Sequence, residues 1–476
     1  MEKIRLTGRF HPAASSWPAL LTGAAVGALV ASEAVLSHAS LTSRLVGTAL
    51  REIGYLTAAV ALLLVLVAAS CVIWRVQIWR HRAVVVVGLV MLTSHLTAIS
   101  AGPLNPLVIA ILLAVGVWVL DFLAGNGSLS PSVFRTLTIL FFAFVLGSTF
   151  GAHPSEVFEG VGSFLPKFVI AIVIVELLDE RRKVSLAVSA MVWTTGLIAV
   201  VGLLQVGAYF FFQIEYSFAE PFYRYTETPF GTFLRASGFS NTAPQFALPI
   251  GVACVISIYL ALTCAGRRLM FAVLGLVTAG AVGLSVVRGM WVATLAGLLL
   301  VPFIVKPRLT PVWVGLAFIT FLVALTSGIG NWVYQSVESL TSGASVTERV
   351  DLFAAGLKVM FDSVNGTGIY NFGPQSPMIE RYPVHNAPIQ VGSELGLPGL
   401  FVFLAVLAWI GWRLWDAARR CAREDRTLMT ALLLGYVSLV IAIQAGPFAF
   451  SQFLWIYLGL CEAAARLADP LRPDHV

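Results

Sequence analysis

Residues 384–400 read VHNAPIQVGSELGLPGL, a stretch in which a His-Asn pair and a Gly-flanked Glu lead directly into a long apolar run. A polar segment of roughly residues 328–394 precedes that run, and His385 within it is one of only seven histidines in the chain. Long polar connections in a compact protein commonly carry function. The stretch therefore predicts a functional loop that ends where a membrane-crossing helix begins.

The composition of the whole chain supports the membrane half of this interpretation. Of 476 residues, 58% are hydrophobic and 11% are charged, and the mean hydropathy is +0.88. Such values exclude a soluble globular domain. The sequence predicts a polytopic membrane protein of the all-α class, because only helices with internal backbone hydrogen bonds and closed barrels cross a bilayer.

A hydrocarbon core of about 30 Å requires about 20 helical residues, so about 12 to 14 transmembrane helices are expected from the apolar runs. The run at 136–150 and the run that follows Pro103 and Pro106 are alternatively re-entrant or tilted. The runs lie near residues 18–37, 54–74, 83–101, 104–122, 136–150, 164–179, 184–207, 244–265, 269–287, 290–305, 312–327, 396–412, 428–446 and 450–466.

The distribution of Lys and Arg predicts the orientation, because basic residues of short loops are retained in the cytoplasm. A cytoplasmic N-terminus, read as an uncleaved anchor, places most basic groups inside and also predicts a cytoplasmic C-terminus. The net charge of +6 then reflects topology and gives no argument for nucleic acid. The groups assigned to the inside are Lys3, Arg5 and Arg9; Arg75, Arg80 and Arg82; Arg135; Arg181, Arg182 and Lys183; Arg267 and Arg268; Lys306 and Arg308; those of 413–426; Arg466 and Arg472.

Two longer connections interrupt the apolar runs, and this orientation puts both outside. The first is rich in Tyr and Phe, which suits the membrane interface. The second is predicted to contain an amphipathic helix at 347–361, followed by Gly-containing turns. Its apolar residues at helical spacing are Val350, Phe353, Ala354, Leu357 and Phe361. The chain is predicted to begin with a transmembrane bundle at 1–207 and an external loop at 208–243. Transmembrane helices with an external Arg turn follow at 244–327, then a large external catalytic loop at 328–394 and C-terminal transmembrane helices at 395–476.

A short turn between two apolar runs contains Arg288 and Gly289. An arginine between two membrane helices costs solvation energy unless it meets an anion or a lipid headgroup. The turn is too short for an ordinary loop arginine, and its predicted external position opposes the retention of basic residues inside. We therefore expect Arg288 to bind an anion, with Ser285 one helical turn earlier as a candidate ligand of the same group.

Three blocks resemble the O-antigen ligase and polymerase superfamily, over roughly residues 230–405. They are RASGFSN at 235–241 with Pro244 at a helix entry, SVVRGMW at 285–291, and His385-Asn386 followed by ELGLPG at 394–399. A weaker fourth element is Arg349, which opens the helix leading to Gly366-Thr-Gly368. The chain departs from the family pattern in Asn241-Thr-Ala-Pro244-Gln245 and in Ala387-Pro388, and Pro388 fits only the first turn of a helix.

The resemblance implies a GT-C-like multispanning glycosyltransferase that needs no metal or other cofactor. Such an enzyme transfers a glycan, with inversion, from undecaprenyl pyrophosphate to an acceptor hydroxyl, on a glycan or on lipid A-core, at the outer face of the bacterial inner membrane. It implies donor-diphosphate binding by Arg235 and Arg288 and general-base catalysis by His385. Further candidate substrate ligands are Ser285, Arg349, Arg381, Asn386 and Glu394.

Each of these residues also has a purely structural interpretation. Arg235 alone would be an anchor at the interface, and His385 alone would be a capped loop histidine. Glu394 is expected as a carboxylate at a helix N-terminus, favoured by the helix dipole. Arg349 and Arg381 suit solvated loop charges equally well.

Two alternatives to a transferase are a metal site and a transporter. His153, Glu156 and Glu159 have a spacing that occurs often by chance and lack a matching fourth ligand, so we expect no metal site there. A transporter or flippase of lipid-linked sugars would place ionisable residues at the bilayer midplane and show related halves. Glu33 and His95 lie within predicted spans, but the polar residues concentrate at one face. A transferase is therefore favoured, and ligase-type transfer is placed slightly ahead of polymerisation of repeat units.

Overall fold

The computed structural model describes residues 82–97, 106–124, 132–152, 157–215, 217–219, 224–228, 231–309, 311–312, 315, 319, 344–369, 372 and 384–468. The chain divides into two compact units, one of residues 1–82 and 99–106 and the other of residues 83–98 and 107–476. Nearly all described residues belong to the second unit. The predicted spans near 18–37 and 54–74, and most of that near 312–327, lie outside the described residues.

The described part of the chain is built from twelve α-helices, one short hairpin and three single-turn 3₁₀ helices. The α-helices α1 to α12 are Arg82–Thr93, Pro106–Leu123, Val133–Ala152, Val157–Leu177, Arg181–Phe212, Ala243–Thr263, Arg268–Leu284, Arg288–Val305, Ala344–Asp362, Ala387–Arg420, Arg423–Ala442 and Gln452–Leu467. The antiparallel strands β1 and β2 are Tyr225–Thr228 and Gly231–Leu234. The 3₁₀ helices are Ala265–Arg267, Pro307–Leu309 and Ile443–Ala445.

Eight helices in the described residues are long and apolar enough to cross a membrane: α2, α3, α5, α6, α7, α8, α10 and α11. This confirms the prediction of an all-α polytopic membrane protein. The run at 136–150, for which a re-entrant segment was an alternative, forms the continuous 20-residue helix α3. The sequence does not predict the hairpin, because its Tyr- and Phe-rich composition indicates only an interfacial segment.

The centre of the bundle is formed by α6 and α12, which are buried on all sides. A helix that is apolar around its whole circumference belongs in the interior. Aromatic rings fill the space beside α12: the centroid of Trp455 lies 5.2 Å from that of Phe141 in α3 and 4.6 Å from that of Phe168 in α4. These edge and tilted contacts join three helices into one core.

A group of charged side chains lies at the end of the bundle where α3 begins, near Arg135. The buried carboxylate of Glu176 lies 3.7 Å from a guanidinium nitrogen of Arg135 and 3.3 Å from one of Arg466. Two arginines that the sequence assigned to one side of the membrane are therefore neighbours. The group joins α3, α4 and α12 at the end opposite to the site described below.

The predicted amphipathic helix at 347–361 is confirmed as α9, but the predicted apolar stripe does not form its packed face. The buried side chains of α9 include Leu352 and Val359, which pack with Phe372 and Val384. The helix carries apolar residues on more than one face, and the sequence alone does not show which of them meets α10. The stripe that was predicted includes the exposed Val350, Phe353 and Phe361.

Candidate functional site

The connection from β2 to α6 is a buried loop that begins at Arg235. Residues 236–240 are all buried, so their backbone groups need partners inside the protein. The N–H of Ala236 donates to the carbonyl of Leu284 over 3.0 Å, and the Nε of Arg235 donates to the carbonyl of Ser285 over 3.1 Å. The Arg235 guanidinium therefore lies beside the turn between α7 and α8.

The same loop is bound on its other sides by α5 and by residues that follow α1. The Nε2 of Gln205, in α5, donates to the carbonyl of Gly238 over 2.7 Å. The N–H of Asn241 donates to the Oγ1 of Thr97 over 3.2 Å. Helices far apart in the sequence thus fix the loop that carries Arg235.

The turn between α7 and α8 is short and strained. Val286 adopts φ 51°, a left-handed conformation that β-branched residues rarely adopt and that costs about 1 to 3 kcal/mol. The hydroxyl of Ser285 is fully buried and donates to the carbonyl of Val282 over 2.7 Å. Ser285 therefore contributes its backbone carbonyl to Arg235, while its hydroxyl binds within its own helix. Arg288 follows as the first residue of α8.

Gly289 allows the start of α8 to approach the 3₁₀ helix Ile443–Ala445 very closely. A Cβ built on Gly289 would lie 2.3 Å from the Cβ of Ala445, a separation that real side chains do not tolerate. The position of Arg288 relative to the end of α11 therefore depends on the absence of a side chain at Gly289.

Asn386 of the His-Asn pair contacts the same 3₁₀ helix from the start of α10. Asn386 is the N-cap of α10, and its side chain accepts a hydrogen bond from the N–H of Ile389 over 3.1 Å. Its Nδ2 donates to the backbone carbonyl and to the Oε1 of Gln444, each over 3.2 Å. Pro388 lies in the first turn, as expected. Half-buried His385 is thus placed at the end of the bundle that carries the α7–α8 turn.

Three arginines from separate segments act on one another electrostatically at this end. Burial first, and then the charges of Arg349 and Arg288, lower the pKa of Arg235 to about 10. Arg235 still carries its proton at neutral pH. Within the described part of the chain, neither Arg235 nor exposed Arg349 forms an ion pair. Like charges held close together favour the binding of an anion between them.

Glu394 does not lie at a helix N-terminus, so the expectation of a stabilising helix dipole is wrong. Helix α10 begins at Ala387, because Asn386 caps it there, and its first turn contains no acidic residue. Glu394 lies farther along the helix with only 1% of its surface exposed. Its backbone carbonyl accepts hydrogen bonds from the Oγ of Ser148 over 2.5 Å and from the N–H of Gly368 over 2.9 Å.

Two glycines with positive φ join the turn after α9 to a kink in α10. Gly396 interrupts α10 with φ 73° and ψ 178°, and a Cβ there would lie 1.9 Å from the carbonyl oxygen of Val364. Gly366 has φ 74°, and a Cβ on it would lie 2.3 Å from the carbonyl oxygen of Glu394. This close approach fixes α9, which carries Arg349, against the helix that begins after His385.

Arg235 thus lies beside the turn that carries Arg288, the charge of Arg349 lowers the pKa of both, and Asn386 contacts the same end of the bundle. Arg381, and His153 and Glu156 of the spacing considered for a metal site, lie outside the described residues. Sequence reasoning missed Gln205 and Gln444, whose only signal was a lone amide near the end of an apolar run. Of the predicted site residues, Ser285 and Glu394 are buried, and the backbone carbonyl of each accepts a hydrogen bond from another segment.

Residues 270–404 match a family model described as O-antigen ligase. The matched segment contains the α7–α8 turn, Arg349 and His385-Asn386, whereas the Arg235 block precedes it, although the resemblance in the sequence extends to about residue 230. A search of curated proteins found no match. The segment 270–404, less than a third of the 476 residues, is therefore similar to the O-antigen ligase family.

Proposed function

We propose that the protein is a glycosyltransferase that moves a glycan from undecaprenyl pyrophosphate to an acceptor hydroxyl in the synthesis of a surface polysaccharide. The observation that carries the proposal is the association of Arg235, Arg288 and Arg349 at the end of the bundle that also carries His385. We further propose that this end faces the outside of the plasma membrane, where lipid-linked glycans are joined.

The arginines suit the leaving group of this reaction. As the bond between the anomeric carbon and the diphosphate oxygen breaks, the diphosphate gains negative charge, and fixed cations stabilise it. The Nε of Arg235 donates to the Ser285 carbonyl, which directs its two terminal nitrogens toward other acceptors. A guanidinium in that orientation binds phosphate oxygens through two parallel hydrogen bonds.

His385 suits the other half of the reaction. The acceptor oxygen attacks the anomeric carbon from the face opposite to the diphosphate, so the configuration inverts. The acceptor proton passes to a neutral imidazole, and the electron pair of the broken bond leaves with the diphosphate. General-base catalysis of this kind contributes about 10² to 10⁴ in rate.

The proposed reaction uses arginine charge where other transferases use a divalent cation. Transfer by the purified protein should therefore continue in excess chelator at the rate measured without it. A loss of transfer that added magnesium restores would contradict this part of the proposal.

Within the family, we place ligase-type transfer first and polymerisation of repeat units second. The test compares surface polysaccharide from a strain that lacks the chromosomal gene and carries the wild-type, His385→Ala or Arg288→Lys protein at matched levels. Arg420→Lys is the control, because Arg420 is largely exposed and pairs with Asp416 at the other end of α10.

The glycans distinguish the outcomes. Full-length polymer that remains on its lipid carrier in the two site variants would indicate a ligase. Single repeats that are attached but not extended would indicate a polymerase. Wild-type glycan in both site variants would contradict the transferase proposal, and glycan precursors retained inside the cell would indicate a transporter.

A further inference from the structure

Gln205 is a buried amide within the membrane-spanning helix α5. Only 2% of its surface is exposed, and it lies seven residues, or about 10 Å along the helix axis, before the end of α5 at Phe212. A buried amide is costly in such a place unless both of its ends are hydrogen-bonded. The hydrogen-bond partners of Gln205 therefore indicate its role.

Both ends of the amide bind the loop that follows Arg235. The Nε2 donates to the carbonyl of Gly238 over 2.7 Å. The Oε1 accepts from the N–H of Gly238 over 2.9 Å and from that of Ser237 over 3.4 Å. The side chain thus binds Gly238 as a neighbouring β-strand would, with one donor and one acceptor.

The loop has no room to move away from this amide. Gly238 has φ 55°, and a Cβ on it would lie 2.8 Å from the ring of Phe246 in α6. The loop therefore passes between α5 and α6 at a position that only glycine allows. Gln205 supplies the backbone partners that this buried passage needs.

Arg235 lies between two fixed points. On its N-terminal side, its own N–H donates to the carbonyl of Arg224 over 2.8 Å. On its C-terminal side, the N–H of Ala236 donates to the carbonyl of Leu284, and Ser237 and Gly238, two and three residues after Arg235, are bound to Gln205. Removing the bonds to Gln205 would leave Ala236 bound to Leu284 but would loosen the loop that follows it, and so weaken the restraint on the backbone that directs the guanidinium toward Ser285.

We propose that Gln205 is a positioning residue for the anion site, acting through the 236–240 loop on Arg235. This inference rests on the proposed function, because it assigns Gln205 to the diphosphate-binding part of that site. Gln205 touches no substrate in this account. Its contribution is the orientation of one arginine.

The test is a double-mutant cycle with inorganic pyrophosphate as the probe, measured by isothermal titration calorimetry on the purified full-length protein in detergent. Gln205→Met keeps the size of the side chain and removes its hydrogen bonds. In the wild-type background it should weaken pyrophosphate binding about tenfold, whereas in the Arg235→Ala background it should cause no further loss, because the residue it positions is absent.

The matched control is Ser257→Ala in α6, a buried polar side chain whose hydroxyl has no hydrogen-bond partner within the described residues. It should leave pyrophosphate affinity unchanged. If Gln205→Met does not give monodisperse protein, Gln205→Asn, which keeps the amide and shortens the side chain by one methylene, is measured in the same cycle with the same expectation.

Equal losses in both backgrounds would show a general structural role and overturn the inference, as would wild-type affinity in the Gln205 variant. Failure of the proposed function has a different signature. In that case Arg235→Ala by itself would leave pyrophosphate affinity unchanged.

Discussion

The Nε of Arg235 donates a hydrogen bond to the backbone carbonyl of Ser285, 50 positions later in the chain, over 3.1 Å. The bond joins the loop after the hairpin to the turn that begins α8 with Arg288. One arginine thus lies beside the turn that carries a second, and the charge of Arg349 acts on the same guanidinium. The anion site is therefore assembled from segments that are distant in sequence.

Replacing Arg235 by Lys should impair transfer although it keeps the positive charge. An ammonium lacks the Nε–H that binds Ser285 and the planar pair of donors that binds phosphate. We expect the transfer rate of the purified protein to fall about 10- to 150-fold, as loss of one charge-assisted hydrogen bond of about 1.5 to 3 kcal/mol implies. Arg420→Lys at the exposed end of α10 should keep the wild-type rate. Full activity of Arg235→Lys would show that charge alone is required.

Gly289→Ala should impair transfer by displacing the start of α8. The new Cβ would lie 2.3 Å from that of Ala445, so Arg288 must move relative to the end of the bundle that carries Asn386. A shift of about 1 Å at a reacting site costs up to about 10²-fold in rate. The measurement is the transfer rate of the purified variant.

The second change Ala445→Gly provides a direct control for that prediction. It removes the clashing Cβ, and the next nearest atom of residue 445 is 3.7 Å away. The double variant Gly289→Ala/Ala445→Gly should therefore recover most of the wild-type rate. If it remains as slow as Gly289→Ala, the clash is not the cause of the loss.

Asn386→Asp should keep the N-cap of α10 and remove the contact with Gln444. Aspartate caps a helix as well as asparagine does, but it cannot donate to the two Gln444 oxygens. We expect the thermal unfolding midpoint to remain near the wild-type value while the transfer rate falls about tenfold, the effect of about 1.4 kcal/mol in the barrier. Asn386→Ala, which also loses the cap, should lower both quantities. Equal activity of Asn386→Asp and wild type would make the Gln444 contact irrelevant to the site.

Gly396→Ala should destabilise the fold. Its positive φ is unfavourable for alanine, and the Cβ would lie 1.9 Å from the Val364 carbonyl oxygen, so we expect the unfolding free energy to fall by more than about 1 to 3 kcal/mol. The matched change Gly116→Ala in α2 meets no atom within 4 Å and should stabilise by about 0.5 to 1 kcal/mol as a helical substitution. Thermal unfolding in detergent measures both. Equal midpoints would contradict the proposed close approach of Gly366 and Gly396.

Apolar run length was sufficient to predict most helices, because the bilayer imposes one length on every crossing segment. The bounds of α6 and α8 agree with the predicted runs to within about two residues, the usual disagreement at helix ends. The start of α10 was placed too late, since hydropathy marks only the part after Gly396. Asn386 and Pro388 carried the correct signal as cap and first-turn residues.

The candidate site was predictable only in part. Arg288 stood out because a short turn between two apolar runs is an unusual place for an arginine. Gln205 and Gln444 did not stand out, because each is a common residue whose role depends on a partner distant in sequence. Pairings such as Gln205 with Gly238, or Gly289 with Ala445, are properties of the packed bundle and leave no local pattern in the chain.

The most direct test of the central claim measures pyrophosphate binding and glycan transfer in parallel on purified wild-type, His385→Ala and Arg288→Ala proteins, with an undecaprenyl-diphosphate-linked glycan as donor. The account predicts that His385→Ala binds pyrophosphate as tightly as the wild type but transfers at least about 100-fold more slowly, and that Arg288→Ala loses both properties. Transfer by His385→Ala at the wild-type rate, or wild-type pyrophosphate affinity in Arg288→Ala, would contradict it.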